Sequence, residues 1–153
     1  MKYFFYSFLF LLVACTKEKS GHTSTFIKNT TTHTIKLLPY KGASIDMSYA
    51  KTIPATSIIE VYSANVWGKT IDPCFGTLLQ PYDSVVVKFD DTVMIPHIKF
   101  NLVYNGTHYI PFQSNRSISN ANSYLKEIIE ETKRSITGKF TYTFTEQDYL
   151  DAR

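Results

Sequence analysis

Charge is scarce in this chain. Asp, Glu, Lys and Arg make up 19% of its 153 residues, and the formal net charge is only +3. A balance that mild argues against nucleic acid, whose phosphates demand a basic patch or stripe. Cysteine is scarcer still, with only Cys15 and Cys74. No base or cation lies at a local spacing from Cys74, so it reads as a small buried hydrophobe and not as a reactive thiol. A Gly-rich phosphate loop, a Gly-x-Ser-x-Gly elbow and a His-Glu-x-x-His zinc motif are all missing. The four histidines, His22, His33, His97 and His108, show no metal-ligand spacing. Asp83 and Asp90 sit at opposite ends of one predicted strand, about 20 Å apart, which argues against a calcium site. Catalytic residues, metal and cofactor are therefore all expected to be none. The longest apolar run, residues 3–14, falls short of the roughly 20 residues that a membrane-spanning helix needs.

Aromatics, by contrast, reach 15%, with eleven Tyr and eleven Phe among many Thr and Ser, a strand-forming composition. Period-two patterning predicts strands at 24–28, 34–40, 44–49, 57–62, 83–90, 98–104, 107–112 and 139–145. In the 83–90 segment Val85, Val87 and Phe89 alternate with polar positions. In the 139–145 segment Phe140, Tyr142 and Phe144 point inward. Asp90-Asp91 is a turn signal, and Asn105-Gly106 is a two-residue hairpin signal that should place Leu102 opposite Tyr109. Residues 63–82 are irregular, with a further strand expected near 66–71. One helix is expected near 119–134, because Ala121, Tyr124, Leu125, Ile128 and Thr132 share a face and Lys133 and Arg134 fall in its last turn. Thr145 to Asp148 reads as the cap of a short C-terminal helical turn. These elements predict a mainly β fold, an antiparallel sandwich (Ig-like or similar) of at least seven strands with that one helix. A lipocalin-like barrel is the alternative, ranked second for want of an N-terminal Gly-x-Trp motif.

The N-terminus carries the most specific pattern. Met1-Lys2 gives a positive start, residues 3–14 are apolar apart from Ser7, and Leu12-Val13-Ala14-Cys15 follows. This resembles the bacterial lipoprotein signal. The resemblance implies that the Cys15 thiol receives a diacylglycerol, that the chain is cut before it, and that the new amine is acylated, with palmitate as the typical acyl group. It divides the chain into a signal peptide at 1–14, a lipidated tether at 15–22 and a single β-rich domain at 23–153. The chain as a whole resembles small Bacteroidota lipoproteins. That implies a cell-envelope location in the outer membrane, with the lipid anchor making the membrane itself a partner. Lys17-Glu18-Lys19 is mixed in charge and does not match the acidic surface-export signal of that group. With Cys15 lipidated, Cys74 has no disulfide partner in the chain.

Function is read from these parts. The expectation is a non-catalytic binding or accessory module, not an enzyme, with a protein or glycan as its further partner. The alternative is a structural, fimbrial-type assembly subunit, which a long unpaired edge strand would favour. Trp67, Phe75 and Tyr82 in the irregular segment are the candidate contacts, because exposed aromatics stack on sugars and partner surfaces. Ser84 and Thr92 each lie in an Asp-Ser/Thr-Val triplet that resembles the Bacteroidota O-glycosylation sequon.

Overall fold

Strict alternation builds the centre of the molecule. The computed structural model describes residues 19–68, 70–73, 82–99, 106 and 108–153. Strand β1 (Ser20–Asn29) buries every second residue: Gly21, Thr23, Thr25, Ile27 and Asn29. Strand β9 (Ser135–Phe144) does the same with Ile136, Gly138, Phe140, Tyr142 and Phe144. The two lie side by side and run parallel, from Ser20 beside Ser135 to Asn29 beside Phe144. Strand β5 (Ile58–Trp67) flanks β1, and β8 (Leu125–Glu131) flanks β9, both antiparallel, giving a mixed sheet β5-β1-β9-β8.

The second sheet is antiparallel. It contains β2 (Ile35–Lys41), β6 (Ser84–Phe89) and β7 (Val93–Ile98), with the short β3 (Ser44–Ile45) and β4 (Lys51–Ile53) sharing the outer edge of β2. Pro39 lies between the stretches of β2 that pair with β3 and β4, where a missing donor disturbs the ladder least. The two sheets enclose one core that includes Ile27, Ile35, Leu37, Val87, Phe89, Phe140 and Phe144. This is a sandwich. No ladder joins the sheets among the described residues, so the barrel alternative is set aside. No described helix is long and apolar enough to cross a membrane.

Several boundaries move. Strand β1 starts at Ser20, so Ser20, Gly21 and His22, assigned to the tether by composition, are paired on both sides. Strand β5 absorbs 63–67 of the irregular segment, with a bulge where the partners jump from Tyr62 to Glu60. The predicted 44–49 strand stops at Ile45. There the Asp46 carboxylate accepts from the Ser48 amide (3.0 Å) and turns the chain. Asp90 and Asp91, with φ of 47° and 61°, form the left-handed tip of the β6–β7 hairpin, and the Thr92 amide donates to the Phe89 carbonyl at 3.0 Å. Leu102, Asn105 and the rest of residues 100–105, with residue 107, lie outside the described residues, so the predicted hairpin tip does too. Ile110, within the expected return strand, makes a single parallel bridge to His97.

The predicted helix at 119–134 is not there. Ala121–Ser123 form one 3₁₀ turn, and Leu125–Glu131 are strand β8. Its helical spacing is real, but β9 offers a backbone ladder from Leu125 to Glu131, broken only by a bulge, and tertiary pairing outweighs a propensity difference of a few tenths of a kcal/mol per residue. The lone α-helix among the described residues is α1 (Glu146–Asp151), where the capping pattern at Thr145 places it. The Asp148 carboxylate accepts from the Thr145 amide (2.7 Å) and hydroxyl (3.0 Å) and from the Arg116 guanidinium. Arg116 also donates to Asp151, while its carbonyl accepts from the Tyr142 hydroxyl at 2.7 Å. One arginine thus ties α1, β9 and the 111–120 turns together.

Candidate binding surface

The register of the first sheet places the even-numbered residues of β1 on its outer face, in rows that cross three strands. Trp67, Ser20 and Ser135 form the end row, then Asn65, His22 and Thr137, then Ser63, Ser24 and Lys139. A hydrogen-bonded chain connects them. Ser24 Oγ donates to Ser63 Oγ (3.4 Å), and Ser63 Oγ donates to His22 Nε2 (3.1 Å). His22 Nδ1 then donates to Asn65 Oδ1 at 2.9 Å, a tautomer assigned from this network. The face is hydroxylated and nearly neutral down to Lys139, which pairs with Glu127 on β8 at 3.6 Å.

Trp67 ends this face. It is the sole tryptophan in the chain and is 76% exposed. Gly68 follows with φ of 130°, and its amide donates to the Lys19 carbonyl at 2.9 Å, which closes the strand beside the start of β1. An open groove of about 320 Å³ runs here between Trp67, His22, Asn65, Ser135 and Thr137. A second open groove, of about 470 Å³, crosses the other sheet between Tyr40, Ser84, Val86, Met94, Pro96 and His108. Ser63 and His22 set a hydroxyl against an imidazole beside the first groove, with Asn65 on the other ring nitrogen, and Ser84 and His108 both line the second groove. Among the described residues no group of three His, Cys, Asp or Glu could hold a metal ion.

The other sequence candidates separate. Tyr82 is 4% exposed, so it fills core instead of meeting a partner. Its hydroxyl donates to Asp46 Oδ2 at 2.7 Å, and burial, reinforced by that carboxylate, pushes the phenol up to about 12. Hydrogen bonds from Ser48 and Tyr82 hold Asp46 below the usual carboxylate range. Phe75, Cys74 and Cys15 lie outside the described residues. Ser84 is half-buried in β6, and Thr92 is exposed beside the Asp90-Asp91 tip, its hydroxyl donating to the Phe89 carbonyl at 3.2 Å. Accessibility favours Thr92. If the triplet is used, host-purified protein should show a glycan mass increment that Thr92→Ala removes. An intact mass equal to the polypeptide plus any lipid would eliminate the site.

Two clusters escaped sequence reasoning because their members are far apart in the chain. At the end of the sandwich remote from Trp67, His33 Nδ1 contacts the Asp90 carboxylate, its Nε2 lies 3.8 Å from Glu146, and its ring stacks on Tyr149 at 3.7 Å. The His33 hydrogen bond holds Asp90 below the usual carboxylate range. Beneath it His97, 2% exposed, accepts from the Ile118 amide through Nδ1 at 3.1 Å, with Phe144 edge-on. Burial drives the His97 imidazole down to about 3, with Arg116 adding to the effect and Asp148 opposing it. Both clusters are built from satisfied structural contacts. No family model, curated protein or solved structure matches this chain.

Proposed function

We propose that the chain is a lipid-anchored protein of the cell envelope, held in the outer membrane through Cys15, that acts as a non-catalytic binding or accessory module. The Trp67 end of the first sheet is its contact surface. One observation carries the reading: a large indole left three-quarters exposed at the end of a hydrogen-bonded polar face. An aromatic that size ordinarily fills a core or meets a partner. The Leu12-Val13-Ala14-Cys15 box supports the anchor. Cys15→Ala should abolish fatty-acid labelling and detergent-phase partitioning and leave an unprocessed precursor. Normal processing of that variant would refute the anchor. Trp67→Ala should remove the protein, glycan or lipid partners that crosslink to this surface in native envelopes, and an unchanged set of all three would refute the contact surface.

Strand β8 favours a second reading, that of an assembly subunit. All seven of its residues are exposed, with Leu125 at 65% and Ile129 at 64%, and β9 is its sole ladder partner among the described residues. Such an edge can accept an added strand. Its bulge near Ile129 and its three glutamates, Glu127, Glu130 and Glu131, work against that, since bulges and edge charges blunt pairing. The reading therefore ranks second.

A further inference from the structure

We infer that the partner of the Trp67 surface is the headgroup layer of the very membrane that holds the lipid anchor. The inference rests on the anchor reading above and names the partner of the same surface.

Chain length is the first argument. Three residues separate Cys15 from Lys19, where the described structure begins, and the four residue-to-residue steps span at most about 14 Å. Ser20, the next residue, is paired directly opposite Trp67. A lipid on Cys15 therefore keeps the Trp67 end of the sandwich close to the bilayer surface and the His33 end away from it. The ten residues of β1 separate those two ends by about 30 Å.

The chemistry of that end is the second argument. Indole, apolar in body with one N–H donor, concentrates at membrane–water interfaces. Beside it the β8–β9 turn carries Lys133 and Arg134, both exposed, and the Arg134 carbonyl accepts from the Ser20 amide at 3.0 Å, fixing the turn to the start of β1. Lys19 and Glu131 neutralise each other at 2.7 Å. Lys133 and Arg134 have no carboxylate partner among the described residues, and β8 adds Glu130 and Lys126, the latter acting on Glu131. The residual charge is positive, which suits anionic headgroups. Such contacts are weak alone. The tether makes them intramolecular, so weak contacts suffice.

The sole tryptophan makes the test direct. Full-length precursor is matured in a lipoprotein-processing host, and the lipidated protein is reconstituted into phosphatidylcholine vesicles with and without phosphatidylglycerol. Trp67 emission should shift to the blue relative to the protein in detergent. Vesicles brominated near the headgroup should remove about half of it, as expected for an interfacial indole, and deeply brominated vesicles less. In the anionic vesicles, K133E/R134E or added salt should weaken that quenching. If the protein floats with vesicles but acrylamide quenches Trp67 as freely as in detergent and brominated lipid does nothing, the docking is wrong while the anchor stands. Protection of Trp67 by soluble peptidoglycan fragments but not by lipid would overturn the docking in favour of a glycan. Failure to float, with no lipid mass on Cys15, would overturn the anchor and the docking together.

Discussion

Taking the protein from pH 7 to pH 4.5 is expected to cost it about 3 kcal/mol of folding stability through His97 alone. The ring is 2% exposed, and burial, with help from Arg116, lowers its pKa from 6.5 to about 3. Above pH 6.5 the imidazole is neutral in both states and its contribution is constant. Below that, the unfolded chain takes up a proton that the folded chain refuses until about pH 3. Stability is therefore full above 6.5 and falls with acidification, by about 1.4 kcal/mol per pH unit. The stabilised carboxylates Asp46, Asp90 and Asp151 act in a lower window, because their pKa values lie below the ordinary value of 3.8. Urea midpoints measured between pH 7 and 4.5 follow the loss, and a His97 variant separates its share from that of other groups such as Glu131, whose pKa is lowered from an ordinary value of 4.5. His97→Asn keeps an acceptor for the Ile118 amide and removes the titration. It should start less stable and then lose little over that range. A slope equal to that of the parent protein would refute the assignment.

Gly138→Val should destabilise the domain by about 3 kcal/mol or more, the upper end of what overpacking costs. Ile71, 1% exposed, crosses the inner face of the first sheet over Gly21 and Gly138. A Cβ at Gly138 would stand 2.1 Å from Ile71 Cδ1, and the Glu127 carbonyl lies 3.4 Å away on the other side. Cδ1 is the movable end of that side chain, but Ile71 is buried and its Cγ2 already packs over Gly21, which leaves it little room to retreat. Ile71→Ala alone should cost about 2–5 kcal/mol. The two changes share one volume, so the double variant should be clearly more stable than the sum of the single losses predicts. Additive losses in urea unfolding would mean that Ile71 does not occupy the space above Gly138.

Local patterns were the legible part of this fold. Val85, Val87 and Phe89 alternate as a strand must, as do Phe140, Tyr142 and Phe144, and all six are buried. Asp90-Asp91 and Thr145 to Asp148 announced a turn and a helix start through side-chain chemistry confined to four residues. Leu125–Glu131 misled because Leu, Lys, Glu and Ile at that spacing suit a helix, whereas a strand at the edge of a sheet shows no buried alternation. The adjacent β-branched pair Ile128-Ile129 was the signal available. Trp67 was legible as a candidate by type, but its exposure depends on β5 running on to meet Ser20. Tyr82 carried the same aromatic signal and is buried, because Asp46, thirty-six residues away, supplies a partner for its hydroxyl. The His33 and Arg116 clusters join residues that no local window contains.

The parallel pairing of β1 with β9 sets the order in which the molecule can be completed. Ser20 and Arg134, which meet at the start of that pair, are 114 residues apart in sequence. Both neighbours of β1 lie later in the chain, and one of them is the final strand. In the second sheet β2 pairs locally with β3 and β4, and β6 with β7, while β2 reaches β6 across an intermediate loop, from Tyr40 to Ser84; β1 must wait for residues 135–144 to close a much longer one. Folding should therefore be slow for a chain of this size and limited by that longest of its non-local closures. During synthesis β1 stays unpaired on its β9 side until residues 135–144 have emerged, and this interval is when it is most exposed to aggregation or to capture by a chaperone.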